Sequence, residues 1–160
     1  MKMKTRHGTL ALATGLLLAS AGSSPAQDLA KIVTKADVEK AAGAKFKDGW
    51  KPMPTQISFA QEGGDVQVSV TVEPRDAQST VRTWEATMKK MRPGTKVDTV
   101  PGVGKDAIFV SPRPDSGALY ADFDKPRVQI NVGVAGARTP EQAKQIAVDL
   151  GKAIGPRIGK

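Results

Sequence analysis

Apolar and polar positions alternate along this chain with two different periods, and each change of period marks an element. From Gln56 to Gln61, Ile57 and Phe59 alternate with polar neighbours. Val66, Val68, Val70 and Val72 then alternate with Gln67, Ser69 and Thr71, so one face of each strand is expected in the core and the other in water. Glu62-Gly63-Gly64-Asp65 between them reads as a tight hairpin turn, because adjacent glycines tolerate the positive φ of a two-residue loop. Further strands are expected over Thr95–Val100, Ala107–Val110, Ala118–Phe123 and Arg127–Val134, the last alternating, with Val128, Ile130, Val132 and Val134 on one face. Pro101-Gly102-Val103-Gly104 and Asp124-Lys125-Pro126 read as turns, and Ser111–Gly117, with two prolines, as a loop.

A period near 3.6 marks three helices. The first opens on a capping box, Thr34-Lys35-Ala36-Asp37, with Val33 and Val38 at the hydrophobic-staple positions and Gly43 at the stop. The second is expected over Ala77–Met91, capped by Asp76, with Val81, Trp84, Met88 and Met91 on one buried stripe. In the third, Thr139 caps, Pro140 takes the first position and Gln142 closes a capping box. Its stripe is Ala143, Ile146, Ala147, Leu150 and Ile154, and Gly155-Pro156 stops it. Residues 44–54 read as irregular, although Phe46, Trp50 and Met53 are apolar enough to cover an edge of the core. Short turns between consecutive strands imply antiparallel pairing. The expected fold is α+β: a two-layer sandwich of three helices on an antiparallel sheet of five or six strands. The expected order is α-β-β-α-β-β-β-α, with room for one more strand.

Ahead of this pattern stands a different one. Lys2, Lys4 and Arg6 precede an apolar run from Leu10 to Ala21, and Ser24-Pro25-Ala26 places small residues before Gln27. Residues 1–26 read as an export signal cleaved after Ala26, with Ala21 as an earlier choice, leaving 27–160 as one domain. The apolar run falls short of the ~20 residues of a membrane span. The expected location is periplasmic or secreted. Without those residues, 24 basic residues become 21 against 16 acidic ones, and the net charge falls from +8 to +5. So mild and scattered a charge suits solubility with a weak bias toward anionic partners such as envelope glycans or lipid head groups, and it does not suit nucleic acid.

Cleavage would also remove His7, the only histidine, and the chain has no cysteine. Most nucleophilic, acid–base and transition-metal chemistry near neutral pH is thereby out of reach, and disulfides cannot support the core. Gly102-Val103-Gly104-Lys105-Asp106-Ala107 matches a dinucleotide fingerprint, but Ile108-Phe109-Val110 follows where a helix would have to hold the pyrophosphate. Asp122, Asp124 and Asp115 lack calcium-loop spacing. None of the serines sits in a nucleophile motif. No cofactor, metal site or catalytic residue is expected. Two surface features stand out: the basic cluster Lys89, Lys90 and Arg92, with Lys96 beside it, and Trp50, either a lid on the core or an exposed contact residue.

The T-x-x-D-V-E-x-x-x-G pattern from Thr34 to Gly43 and the P-G-V-G-x-x-A turn from Pro101 to Ala107 resemble a group of small exported or lipid-anchored bacterial domains of unknown function. Many members carry a cysteine in the first hairpin and an anchor cysteine, whereas this chain has Ile57-Ser58-Phe59 and no anchor. The resemblance carries over no catalytic residue. The expectation is a non-catalytic binding or accessory protein of the cell envelope, with an envelope protein or an anionic glycan or lipid as partner. The alternative is a periplasmic hydrolase working through paired carboxylates.

Overall fold

A computed structural model describes residues 28–160. The expected signal, with its cleavage site, lies outside the described residues. The chain folds as an α+β domain around one antiparallel sheet of seven strands: β1 (Trp50–Met53), β2 (Gln56–Ala60), β3 (Gln67–Pro74), β4 (Lys96–Thr99), β5 (Asp106–Arg113), β6 (Ser116–Asp124) and β7 (Arg127–Ala135). Their order across the sheet is β1-β2-β3-β7-β6-β5-β4. The helices are α1 (Leu29–Ile32), α2 (Lys35–Ala42), α3 (Val81–Met91) and α4 (Pro140–Ile154), followed by a 3₁₀ turn at Gly155–Arg157.

The main core lies between one face of the sheet and α1, α2 and α4. Ile57, Phe59, Val68, Val70, Val72, Val128, Ile130, Val132 and Val134 are all buried there, as the period of two requires. The stripe of α4 meets them: Ala143, Ile146, Ala147, Leu150 and Ile154 are buried. Gly151 is buried with them, and a Cβ there would stand 2.5 Å from the Leu119 side chain. Thr34 and Asp37 form the expected capping box, Gly43 ends α2 at φ 65°, and the staple residues Val33 and Val38 are buried. Arg157 clamps this layer together, donating to the Ile32 carbonyl at 3.0 Å and to Asp37 Oδ1 at 2.9 Å.

Several expectations are corrected. Trp50–Met53 is an edge strand with all four residues exposed and interrupted by Pro52, so it shows none of the alternation that betrays a half-buried strand. It brings the sheet to seven, beyond the expected five or six, and α1 is a fourth helix. Of Phe46, Trp50 and Met53, only Phe46 is buried. β5 runs through Pro112 to Arg113 because its pairing with β6 slips between Val110 and Arg113, which accommodates a proline without a ladder hydrogen bond. Gln61 N donates to Val66 O, closing a four-residue loop in which Gly63 alone takes positive φ. Asp76 caps a separate turn, accepting from Gln78 N and Ser79 N. Helix α3 starts later, with Thr80 accepting from Thr83 N at 3.1 Å. The two-layer description also fails on one side. Ile108 and Val110 point away from Ala107 and Phe109, and α3 packs on them, making a partial third layer.

Candidate functional site

Helix α3 covers only part of its face of the sheet. Val81 is fully buried against Ile108 and Val110, with Trp84, Val97 and Tyr120 packed around them. The helix is held at its N-terminus. Asp122, 2% exposed, accepts from Val81 N at 2.8 Å and from Gln129 Nε2 at 2.9 Å. Arg75 Nε lies 3.6 Å from the same carboxylate, and Arg75 Nη2 donates to Asp124 Oδ1 at 2.8 Å. Lys105 pairs with Asp124 at 2.9 Å, and its hydrogen bond holds that carboxyl below its ordinary value. Arg82 pairs with Asp106 at 3.1 Å. Of the carboxylates considered for calcium, Asp122 thus holds the start of α3 and Asp124 is taken by Arg75 and Lys105, while Asp115 sits in the turn at the far end of β6. Among the described residues no group of three or more carboxylates or histidines converges as a metal site.

Beyond α3 the sheet face is open, and its register builds a trough across the strands. Trp50, Ser58, Ser69, Gly133 and Ala118 are successive cross-strand partners, and Val110 continues the row beneath α3. Small side chains make the floor. A Cβ on Gly133 would meet Ser69 Oγ at 2.8 Å, so the glycine makes room for the serine. One flank is the next row, Gln56, Thr71, Asn131 and Tyr120. Gln67 and Ala135 stand on the other. Gln56 Nε2 donates to Ser58 Oγ at 3.3 Å. From the β1 strand to the β6 strand the row spans roughly 19 Å, four spacings of about 4.8 Å.

The trough holds two clefts that share Gly117. The first, of about 290 Å³, runs from Trp50 over Ser58, Ser69 and Gly133. The second, of about 410 Å³, lies under the C-terminal half of α3, between Trp84, Met88 and Met91 and the strand residues Tyr120, Ala118 and Pro112. The Trp84 and Tyr120 rings pack with centroids 4.3 Å apart, and burial pushes the Tyr120 hydroxyl above its ordinary pKa. The stripe of α3 was expected in the core. Only Val81 is fully buried, and Met91 is 73% exposed. Across from the lower stripe stand Ala118, Pro112 and Tyr120, separated from it by the open cleft.

The four residues singled out from the sequence divide. Trp50 is 46% exposed and stands at one end of the trough, so it is not a lid on the core. Arg92 borders the other end. Lys89 and Lys90 are exposed on α3 and line neither cleft. Lys89 is engaged by Glu85 at 2.8 Å, which holds that carboxyl below its ordinary value. The expected basic patch therefore offers the trough a single cation. Sequence reasoning missed Ser58, Ser69, Gly133 and Ala118. Their one signal was smallness at polar-face positions, and only strand register lines them up.

A third cleft, of about 410 Å³, lies on the opposite side between α2, the β2–β3 loop and the start of α4, with Asp65, Arg138 and Gln142 at its rim. No cleft of the three is lined by two carboxylates. The Gly102-Val103-Gly104 turn joins two strands, with Gly102 and Gly104 at positive φ and Val103 buried. A Cβ at Gly104 would meet the Asp122 carbonyl oxygen at 2.4 Å, which accounts for the glycine without a nucleotide. No described helix is long and apolar enough to cross a membrane. The chain matches no family model, no curated protein and no solved structure.

Proposed function

We propose that this protein is an exported, non-catalytic binding domain of the bacterial cell envelope, periplasmic or secreted, and that the trough is its contact surface. The observation carrying this reading is the open row of small neutral side chains between Trp50 and α3. The other face of the sheet is packed beneath α1, α2 and α4. Charged residues make up 25% of the chain, yet the Trp50 cleft has none. A concave surface with an exposed aromatic and convergent uncharged polar groups has the make-up of a ligand site. The signal-like residues 1–26 and the resemblance to exported bacterial domains support the location. The absence of any histidine beyond His7, and of a carboxylate pair in the three clefts, supports a binding role over the hydrolase alternative.

Site-specific photocrosslinking in cells tests this. A crosslinker at Gln67, on the trough rim, should yield an adduct with an envelope component. One at Ala153, exposed on α4 behind the sheet, should not. Adducts from Ala153 alone, or none from Gln67, would refute the reading.

A further inference from the structure

Resting on that reading, we propose that the trough binds a neutral oligosaccharide chain, laid across the strands with one sugar ring stacked on Trp50. The first argument is charge. The Trp50 cleft is lined by no ionisable side chain, and Arg92 is the one cation bordering the other cleft. An anionic ligand would find Lys89 and Lys90 outside the trough, one of them already neutralised by Glu85. The second argument is hydrogen-bond chemistry. Gln56, Gln67 and Ser69 line the cleft and each offers both a donor and an acceptor, while Ser58 lies buried beneath them with its hydroxyl accepting from Gln56. Such groups match hydroxyls, which also do both, and give a carboxylate or phosphate no charge to meet. Leaving these groups unmatched beneath an acyl chain or an apolar peptide would cost desolvation at each one.

Shape and rigidity support the same ligand. A pyranose ring has an apolar C–H face and a polar rim. An exposed indole at the end of a hydroxyl-lined floor provides the complement of both. The floor side chains are short, so fixing them against a ligand loses little rotamer freedom. The trough is linear and spans several strands, which suits linked rings over a single small molecule. Strand addition by a polypeptide is disfavoured at the nearby edge. β1 is only Trp50–Met53, and Pro52 removes one of its donors.

The test is titration of the exported protein with maltohexaose, cellohexaose and chitohexaose, followed by calorimetry and tryptophan fluorescence, with polygalacturonate as the anionic comparison. One neutral hexasaccharide should bind saturably up to low-millimolar concentration, with little dependence on salt. Trp50→Ala should weaken it about tenfold or more, Trp50→Phe should recover part of the loss, and Lys89→Ala with Lys90→Ala should leave it unchanged. Circular dichroism checks that each variant is folded. No binding by any neutral hexasaccharide overturns the proposal. So does binding indifferent to Trp50→Ala, or binding confined to polygalacturonate and lost in salt. The crosslinking at Gln67 separates the two failures. A protein adduct there with no saccharide binding removes the ligand class and leaves the contact surface standing.

Discussion

Helices α3 and α4 begin alike and end differently. Each is capped by a threonine that accepts from the amide three residues on, at 3.1 Å in both, and each carries an apolar stripe. Yet α4 buries six residues and α3 only Val81. The stripes do not decide this; the surfaces they meet do. Under α4 lie the valines, isoleucines and leucine of the inner sheet face. Under α3 the packed apolar ground is Ile108, Val110, Val97 and Tyr120; Ala118 and Pro112 lie across an open cleft, and beyond them the strands present serine, glycine, threonine and asparagine. A helix stripe predicts which side faces the protein. How much of it is covered depends on residues distant in sequence.

The largest test of this contrast is truncation beneath α4. Leu150→Ala should lose about 2–5 kcal/mol, because a buried leucine leaves a cavity that a seven-stranded sheet cannot close. Urea unfolding would measure it, and a loss under about 1 kcal/mol would mean that α4 is packed no better than α3. Acid probes the same side. Arg157 holds the Asp37 carboxyl down to about 2 from 3.8. A depressed folded pKa stabilises above the unfolded value and is lost as pH falls from about 4 through about 2. After discounting for the partly exposed Arg157, the contribution is on the order of 1–2 kcal/mol. Asp37→Asn should flatten that part of the stability–pH curve, and an unchanged slope would remove the clamp from this account.

Across the sheet the effects should shrink. Trp84→Ala on α3 should cost about 1–2 kcal/mol, less than the 3–5 of a fully buried tryptophan, because one side of the ring already faces the cleft. A loss at the upper figure would show that α3 is a core helix after all. Trp50→Ala should change unfolding by no more than about 0.5 kcal/mol, as expected of an exposed side chain away from the core. Substantial destabilisation would make Trp50 a structural residue and remove it from the trough's function.

Much of the inner layer was legible because local rules and tertiary packing agree there. Thr34 and Asp37 start α2 through a side-chain capping box and Gly43 stops it, all by local interactions. Thr139 and Pro140 start α4, though Gln142 reaches back to Arg138 N and not to the cap residue. The valines of β3 and β7 alternate because one face is dry. Legibility fails where an element is exposed on both sides, as in β1. It fails also where two caps compete, as Asp76 and Thr80 do ahead of α3. The site fared worse. Trp50 was visible as an oddity, but Ser69 and Gly133, 64 positions apart in sequence, became neighbours only through the pairing of β3 with β7. The basic cluster drew attention by density, and the fold places most of it outside the trough.

Asp122 holds two backbone amides that belong to different parts of the chain. Its backbone carbonyl takes the amide of Lys105, in the turn before β5, and its side chain takes the amide of Val81, at the root of α3. Helix α3 is therefore an arm pinned at the shoulder, with its hand at Met91 free. In deuterated water the Val81 amide should exchange as slowly as the sheet, while the amides toward Met91 exchange earlier. The aromatic and methionine end of the trough would then widen and narrow in thermal motion while the Trp50 end keeps its width.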